Sequence, residues 1–141
     1  MSDPAVAAIV ATGGCLCGAV RFRILDRLPP VGFCHCSQGR RASGTGSNAV
    51  LNVRRDRFIW DQRENALRRW TTATGWSTSW CGNCGSPMPQ PTPDGARMFV
   101  PAGALDGDPP LRIAGHIFTA AMPGWVVIGD ESPRFEEHAP G

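Results

Sequence analysis

Hydrophobic and polar residues alternate over short stretches of this chain, and a period of two predicts β-strands. In residues 19–24, the apolar Val20, Phe22 and Ile24 alternate with arginines, as expected for a strand with one buried face. Strand-like patterning recurs at residues 31–36, 48–53, 57–61, 67–72, 97–102, 111–118 and 125–128. The pattern therefore predicts an all-β fold built from short strands.

Glycine and proline separate the predicted strands and leave little room for helices. The chain contains 17 glycines and 13 prolines, which interrupt regular structure. One short helical turn is predicted over residues 37–42. Residues 88–95 form a predicted loop rather than a domain linker, because strand-like patterning resumes at Met98. The predicted fold class is mainly β with short helical turns.

Size and composition favour one compact domain. A chain of 141 residues with 42% hydrophobic content can bury a core. No stretch approaches the roughly 20 apolar residues that a membrane helix needs, and the N-terminal residues lack the basic region of a signal peptide. We expect a soluble cytoplasmic protein that does not bind membranes.

The basic residues exclude some chemistry. All 14 positive side chains are arginine, and the chain contains neither lysine nor tyrosine. Schiff-base catalysis through lysine is therefore excluded, as is acid–base catalysis by a phenol. The net charge is only +2, and the arginines are scattered rather than clustered, so we do not expect nucleic acid as a partner.

The six cysteines form three close pairs: Cys15 with Cys17, Cys34 with Cys36, and Cys81 with Cys84. Paired thiolates from distant parts of a chain commonly bind zinc. Disulfides are the alternative explanation of an even cysteine count. They are disfavoured because thiols stay reduced in the cytoplasm, and because a bridge within Cys-x-Cys closes a small, strained ring.

The first and last pairs predict a structural zinc site on Cys15, Cys17, Cys81 and Cys84. In Cys81-Gly82-Asn83-Cys84, small residues let backbone N–H groups turn towards the sulfurs. Four thiolates complete a tetrahedral shell and leave no position for a substrate. Such a site can contribute about 10–16 kcal/mol of apparent binding energy.

The chain carries three cysteine motifs in a fixed order, followed by two further motifs: GGCLCGAV, CHCSQGRRASG and WCGNCGSP, then HIF and GDESPRF. This order resembles the glutathione-dependent formaldehyde-activating enzyme family, also called the centromere protein V/Gfa family. The resemblance extends from about residue 13 to residue 133. It implies an Mss4-like fold, with residues 1–12 as an N-terminal extension, 13–135 as the zinc-binding domain and 136–141 as a tail. It also implies that the first and last cysteine pairs bind the structural zinc.

In the family, the central motif is usually Cys-His-Cys-x-x-Cys, which supplies three thiolates to a second, catalytic zinc. Here Cys34 and Cys36 are present, but the third position is Gly39, which offers no ligand. The candidates to complete the shell are His35, His116 and an external thiol such as glutathione. His35 points away from its two neighbours on a strand, and His116 is more consistent with a structural or substrate-facing role.

The resemblance implies a carbon–sulfur lyase acting on a glutathione–aldehyde adduct, with Cys34 and Cys36 as catalytic residues. Arg40 and Arg41 follow the central motif and could pair with the two carboxylates of glutathione, alongside His116 as a substrate-binding residue. The alternative is a non-catalytic, zinc-stabilised binding domain. Gly39 leaves both functions open.

Overall fold

The computed structural model describes residues 7–140, which contain eleven β-strands, one α-helix and three short 3-10 helices. The helix α1 is Ser37–Ser43, and the 3-10 helices are Arg55–Arg57, Ala102–Ala104 and Thr119–Ala121. The strands are β1 (Ile9–Gly14), β2 (Arg21–Leu25), β3 (Val31–Cys34), β4 (Asn48–Arg54), β5 (Phe58–Gln62), β6 (Leu67–Thr71), β7 (Ser77–Cys81), β8 (Pro87–Met88), β9 (Gln90–Pro91), β10 (Arg97–Pro101) and β11 (Ile113–Ile117). The predicted all-β class is confirmed.

The strands form three sheets. Their orders are β1-β2-β5, β11-β3-β4-β10-β9 and β6-β7-β8. All pairs are antiparallel except β11 with β3, which run parallel. The five-stranded sheet therefore places β3, which ends in the central cysteine motif, between β11 and β4.

The main core lies between the first sheet and one face of the five-stranded sheet. Phe22, Ile24 and Phe58 come from the first sheet, and they cluster with Val31, Leu51, Val53, Met98, Val100 and Leu105. Along β4, Leu51 and Val53 are buried whereas Asn52 and Arg54 are exposed. Because side chains alternate along a strand, the five-stranded sheet has an inner, core face and an outer face.

A second, smaller core links the first and third sheets. It contains Cys15, Val20, Ala66, Cys81 and Met88. Two of these five residues belong to the predicted zinc site. The cysteine cluster is therefore built into the apolar contact between the β1–β2 and β7–β8 hairpins.

Seven predicted strands overlap an observed strand, and the predicted helical turn at residues 37–42 lies within α1. The strand predicted at 125–128 is wrong, since this segment has no regular structure and Trp125 is 71% exposed. No strand among the described residues pairs with this segment, and the backbone N–H of Val126 instead donates to the Pro123 carbonyl in a turn.

Four observed strands had no prediction. In β7, small polar residues occupy the buried positions, with Ser77 and Ser79 only 6% and 2% exposed, so no apolar alternation marks the strand. The strands β8 and β9 are two residues long and proline-containing, and β9 lies within the predicted loop at 88–95.

Segments near both ends of the described range make backbone hydrogen bonds to the domain. Residues 9–12 of the predicted N-terminal extension belong to β1, which pairs with β2, whereas residues 1–6 lie outside the described residues. In the predicted tail, the carbonyls of Glu136 and Glu137 accept from Ala120 and Phe118, and residue 141 is not described. Within residues 7–140, no helix is long and apolar enough to cross a bilayer.

Candidate metal centre and substrate pocket

The four cysteines predicted to bind the structural zinc come together. All four sulfurs of Cys15, Cys17, Cys81 and Cys84 lie within 4.8 Å of one another. The Cys17 sulfur lies 3.7 Å from that of Cys15 and 3.8 Å from that of Cys81. A tetrahedral zinc with Zn–S bonds of about 2.3 Å requires sulfurs about 3.8 Å apart. The cluster can therefore hold a metal ion, and its donors and spacing fit zinc.

Backbone turns position these sulfurs and their hydrogen-bond donors. Gly18 and Gly85, each directly after a cysteine pair, have φ of 83° and 79°, a conformation that favours glycine. The turns direct N–H groups towards sulfur, and the N–H of Val20 lies 3.2 Å from the Cys15 sulfur. The sequence-based expectation of small residues around a zinc knuckle therefore matches the geometry.

Hydrogen bonds also favour the thiolate form that metal binding requires. The hydroxyl of Ser86 lies 3.2 Å from the Cys84 sulfur. This contact, with the backbone N–H groups of Ser86 and Cys17, lowers the pKa of Cys84 to about 5. At least one thiolate of the cluster is therefore available at neutral pH.

The central pair, Cys34 and Cys36, lies at the end of β3 and the start of α1, with the two sulfurs 3.3 Å apart. Cys36 caps α1 by accepting the N–H of Gly39 at 3.3 Å. Burial is the main reason that the pKa of Cys34 is raised to about 11. Within residues 7–140, only the first cluster brings one ligand atom from each of three or more His, Cys, Asp or Glu residues within 4.8 Å of all the others.

Gly39 occupies the position at which the resemblance implies a third thiolate. It is buried on the inner side of α1. A Cβ atom added there would lie 3.7 Å from the Cys36 sulfur, 3.3 Å from the Cys34 carbonyl and 3.1 Å from the Cβ of Asn48. The geometry thus directs a side chain at position 39 towards the thiol pair. The two thiols present do not fit a zinc site with three protein ligands.

His35 and His116 are both buried, and among residues 7–140 neither forms a metal-ligand group with the thiols of Cys34 and Cys36. The Nε2 of His35 is 2.9 Å from the Nδ1 of His116, and the Nε2 of His116 is 2.9 Å from a carboxylate oxygen of Asp130. Ser132 donates to Asp130 through both its backbone N–H and its hydroxyl. These contacts, the Ser132 hydroxyl first, lower the pKa of Asp130 to about 2.

A pocket of about 640 Å³ covers the outer face of the five-stranded sheet. This size is in the range of small-molecule sites. Cys34 and Gly32 of β3 line it, as do Val50 and Asn52 of β4 and Phe99 of β10. Four arginines also line the pocket: Arg27, Arg54, Arg57 and Arg97. Asp26 is the one acidic residue among the described residues that line the pocket.

Three residues predicted to bind substrate lie elsewhere. Arg40, Arg41 and His116 are not among the residues that line this pocket. Arg40 and Arg41 are on α1, and His116 is 3% exposed. The Nε2 of the His35 ring contacts His116, and the His35 Nδ1 has no hydrogen-bond partner among the described residues.

Sequence reasoning missed the pocket arginines and Asp130. The approach of Arg54 to Arg97 could have been found only from the register of β4 against β10, which the sequence does not specify. Asp130 is part of the GDESPRF motif that the sequence analysis singled out, but its contact with His116 could not be predicted from that motif.

Comparisons with known proteins agree with this arrangement. A sequence profile of the family described as glutathione-dependent formaldehyde-activating enzyme matches residues 10–121. The chain is similar to a Halomonas elongata protein provisionally named a glutathione-dependent formaldehyde-activating enzyme. The two are 31% identical over 126 residues, which cover 82% of this chain and 79% of the relative.

The fold is similar to that of a Rhodobacter sphaeroides protein solved by crystallography in a structural genomics programme. The TM-score is 0.58 and the sequence identity is 22%. The match covers 70% of this chain and 91% of the other. At this identity the likeness concerns the fold alone.

Proposed function

This chain belongs to the glutathione-dependent formaldehyde-activating enzyme family, and we propose that it is a carbon–sulfur lyase acting on an adduct of a small thiol and an aldehyde. The thiol is glutathione or a similar compound, and the protein acts in the cytoplasm, where thiols stay reduced. The observation that carries the proposal is the presence of Cys34, from the family's central motif, in the wall of a pocket of about 640 Å³.

The cluster of Cys15, Cys17, Cys81 and Cys84 holds a structural zinc in this proposal. Zinc bound there links the β1–β2 and β7–β8 hairpins and, having four thiolate ligands, has no open position for substrate. The Cys84 thiolate is favoured by Ser86, and the Cys15 sulfur accepts the Val20 N–H. The cluster therefore supports the fold, and the chemistry occurs at the pocket.

The proposed reaction breaks one C–S bond of a hydroxyalkyl thioether. The hydroxyl oxygen loses its proton as the carbonyl forms, and the departing sulfur takes up a proton. The reverse reaction adds the thiol to the aldehyde. Cys34 lies where the sulfur end of the adduct binds, the Cys36 sulfur lies 3.3 Å from that of Cys34, and the pocket orients the adduct. We route no step through a metal at this pair, because two thiols do not make a catalytic zinc site.

The test is the rate of exchange between glutathione, formaldehyde and S-hydroxymethylglutathione, measured by NMR exchange spectroscopy with the zinc-loaded protein. We expect the wild-type protein to accelerate the exchange, and the Cys34→Ser and Cys36→Ser variants to lose the acceleration while they keep one zinc. A wild-type rate equal to that of the uncatalysed mixture would reject the lyase function with these substrates.

A non-catalytic zinc-stabilised binding domain is the second candidate. It is favoured by Gly39, which deprives the thiol pair of the third ligand that the family motif supplies. This function predicts that the protein binds glutathione without accelerating the exchange. Calorimetric titration with glutathione, performed beside the exchange measurement, separates the two functions.

A further inference from the structure

The arginines of the outer-face pocket have no role in the family motif, and their placement is the most informative feature outside the cysteine sites. We propose that Arg54, Arg57 and Arg97 form a carboxylate-binding subsite at the end of the pocket remote from Cys34. The subsite selects elongated thiols that carry a carboxylate over short or uncharged ones. This inference rests on the proposed function, because it assumes that the sulfur end of the ligand lies at Cys34.

Arg54 and Arg97 lie directly opposite each other. They are Cα partners in the antiparallel pairing of β4 with β10, and both line the pocket. Like charges directly opposite across a sheet destabilise it. Arg54 has an ion pair with Asp56 at 2.9 Å, but none of the ion pairs found in residues 7–140 includes Arg97. An anion bound between the two guanidinium groups would relieve the repulsion.

Arg57 adds a buried donor to the same end. Its side chain is 19% exposed and pairs with Asp26 at 3.4 Å, and Asp26 also lines the pocket. The Nη1 of Arg57 is buried and has no hydrogen-bond partner in the part of the chain that the structure describes. A buried charged donor without a partner is costly, and a carboxylate oxygen is the partner that guanidinium groups bind best.

The distance between the two ends sets the shape of the ligand. Cys34 is the Cα partner of Asn48 at one end of β4, and Arg54 is six residues further along the same strand. At about 3.4 Å a residue, this separation is roughly 20 Å between backbones. Both groups extend side chains into the pocket, which shortens the gap. A ligand held at both ends must therefore be elongated. A free cysteine is too short, whereas the long, flexible side chains of Arg54 and Arg97 can reach along the pocket towards the carboxylate of a peptide-sized thiol.

The experiment uses the zinc-loaded full chain and calorimetric titration with S-methylglutathione, whose blocked sulfur cannot react. We expect binding that weakens with added salt. The variants Arg97→Gln and Arg54→Gln should each bind at least about tenfold more weakly, because each loses a charge-assisted hydrogen bond. Arg69→Gln is the matched control, since Arg69 is an exposed arginine on β6 that does not line the pocket.

A second ligand tests the carboxylates themselves. Glutathione with both carboxylates esterified should bind the wild-type protein about as weakly as S-methylglutathione binds Arg97→Gln. Equal affinity of wild type, Arg54→Gln and Arg97→Gln for S-methylglutathione would overturn the subsite, as would the absence of binding to the wild-type protein.

These outcomes are distinct from those of the proposed function. If the arginine variants lose affinity while the wild-type protein does not accelerate the exchange reaction, the subsite stands and the lyase function fails. If the exchange is accelerated and the KM for glutathione is unchanged in both arginine variants, the lyase function stands and the subsite is wrong.

Discussion

The rings of His35 and His116 share a hydrogen bond of 2.9 Å across 81 residues of chain. The ionised carboxylate of Asp130 can only accept, so the Nε2 of His116 donates to it. On the other side of the ring, the His116 Nδ1 faces the Nε2 of His35. The contact joins β3, which carries the central cysteine motif, to β11 and the segment that follows it.

Asp130 should stabilise this junction in a pH-dependent way. Its pKa in the folded protein is about 2, below the usual value of about 3.9. The carboxylate therefore stabilises the fold at pH values above about 4, and this contribution is lost as the pH falls from about 4 to about 2. We expect Asp130→Asn to lower stability at neutral pH and to move acid unfolding to a higher pH.

Circular dichroism along an acid titration measures this shift. Asp108→Asn, at an exposed aspartate outside the helices and strands, is the control and should unfold with the wild-type midpoint. Identical midpoints for Asp130→Asn and the wild-type protein would contradict the role given to Asp130.

The structural zinc should be essential for folding. We expect one tightly held zinc in the wild-type protein, on the cluster of four cysteines. Cys81→Ser should lose this zinc and be destabilised by more than about 4 kcal/mol, because Cys81 is fully buried between the two hairpins. Metal analysis and urea denaturation measure the two effects. Cys34→Ser is the control, because it removes a thiol outside the cluster, and it should keep both the zinc and the fold. Equal loss of zinc and stability in the two variants would reject the assignment of the structural zinc to the four-cysteine cluster.

Restoring the third thiolate should build a second metal site. We expect Gly39→Cys to raise the zinc content towards two per chain, because a Cβ at this position lies 3.7 Å from the Cys36 sulfur. The Cβ of Asn48, 3.1 Å away, has to shift slightly. Gly39→Ala reproduces this crowding without a thiol and should remain at one zinc. Two zincs in the wild-type protein would show that another group completes the site without position 39.

The core between the first two sheets should carry much of the stability. Leu51 is fully buried in β4, and Leu51→Ala should cost about 2–5 kcal/mol of unfolding free energy. Val127 is 87% exposed, and Val127→Ala should change it by less than about 0.5 kcal/mol. Urea denaturation of both variants checks the difference, and a loss below 1 kcal/mol at Leu51 would contradict this core.

Local pattern determined the class of fold and the ligands of the first metal site. Alternation around Phe22 and Ile24 predicted β2, because a strand with one buried face imposes a period of two on its side chains. The spacing of Cys81 and Cys84 predicted a metal knuckle, since two sulfurs from one tight turn can bind one ion. Where this period is absent, as at Ser77 and Ser79 of β7, the strand was missed.

Only the tertiary structure decided which side chains lie together on one face of the five-stranded sheet. The parallel pairing of β11 with β3 brings His116 to His35, and the register of β4 against β10 sets Arg54 opposite Arg97. A shift of one residue would send each of these side chains to the other face of the sheet. Register depends on packing among strands that are distant in the chain, and the sequence does not reveal it. The sequence therefore pointed to Arg40 and Arg41 as carboxylate partners, because they directly follow the central cysteine motif. In the folded protein, other arginines line the pocket.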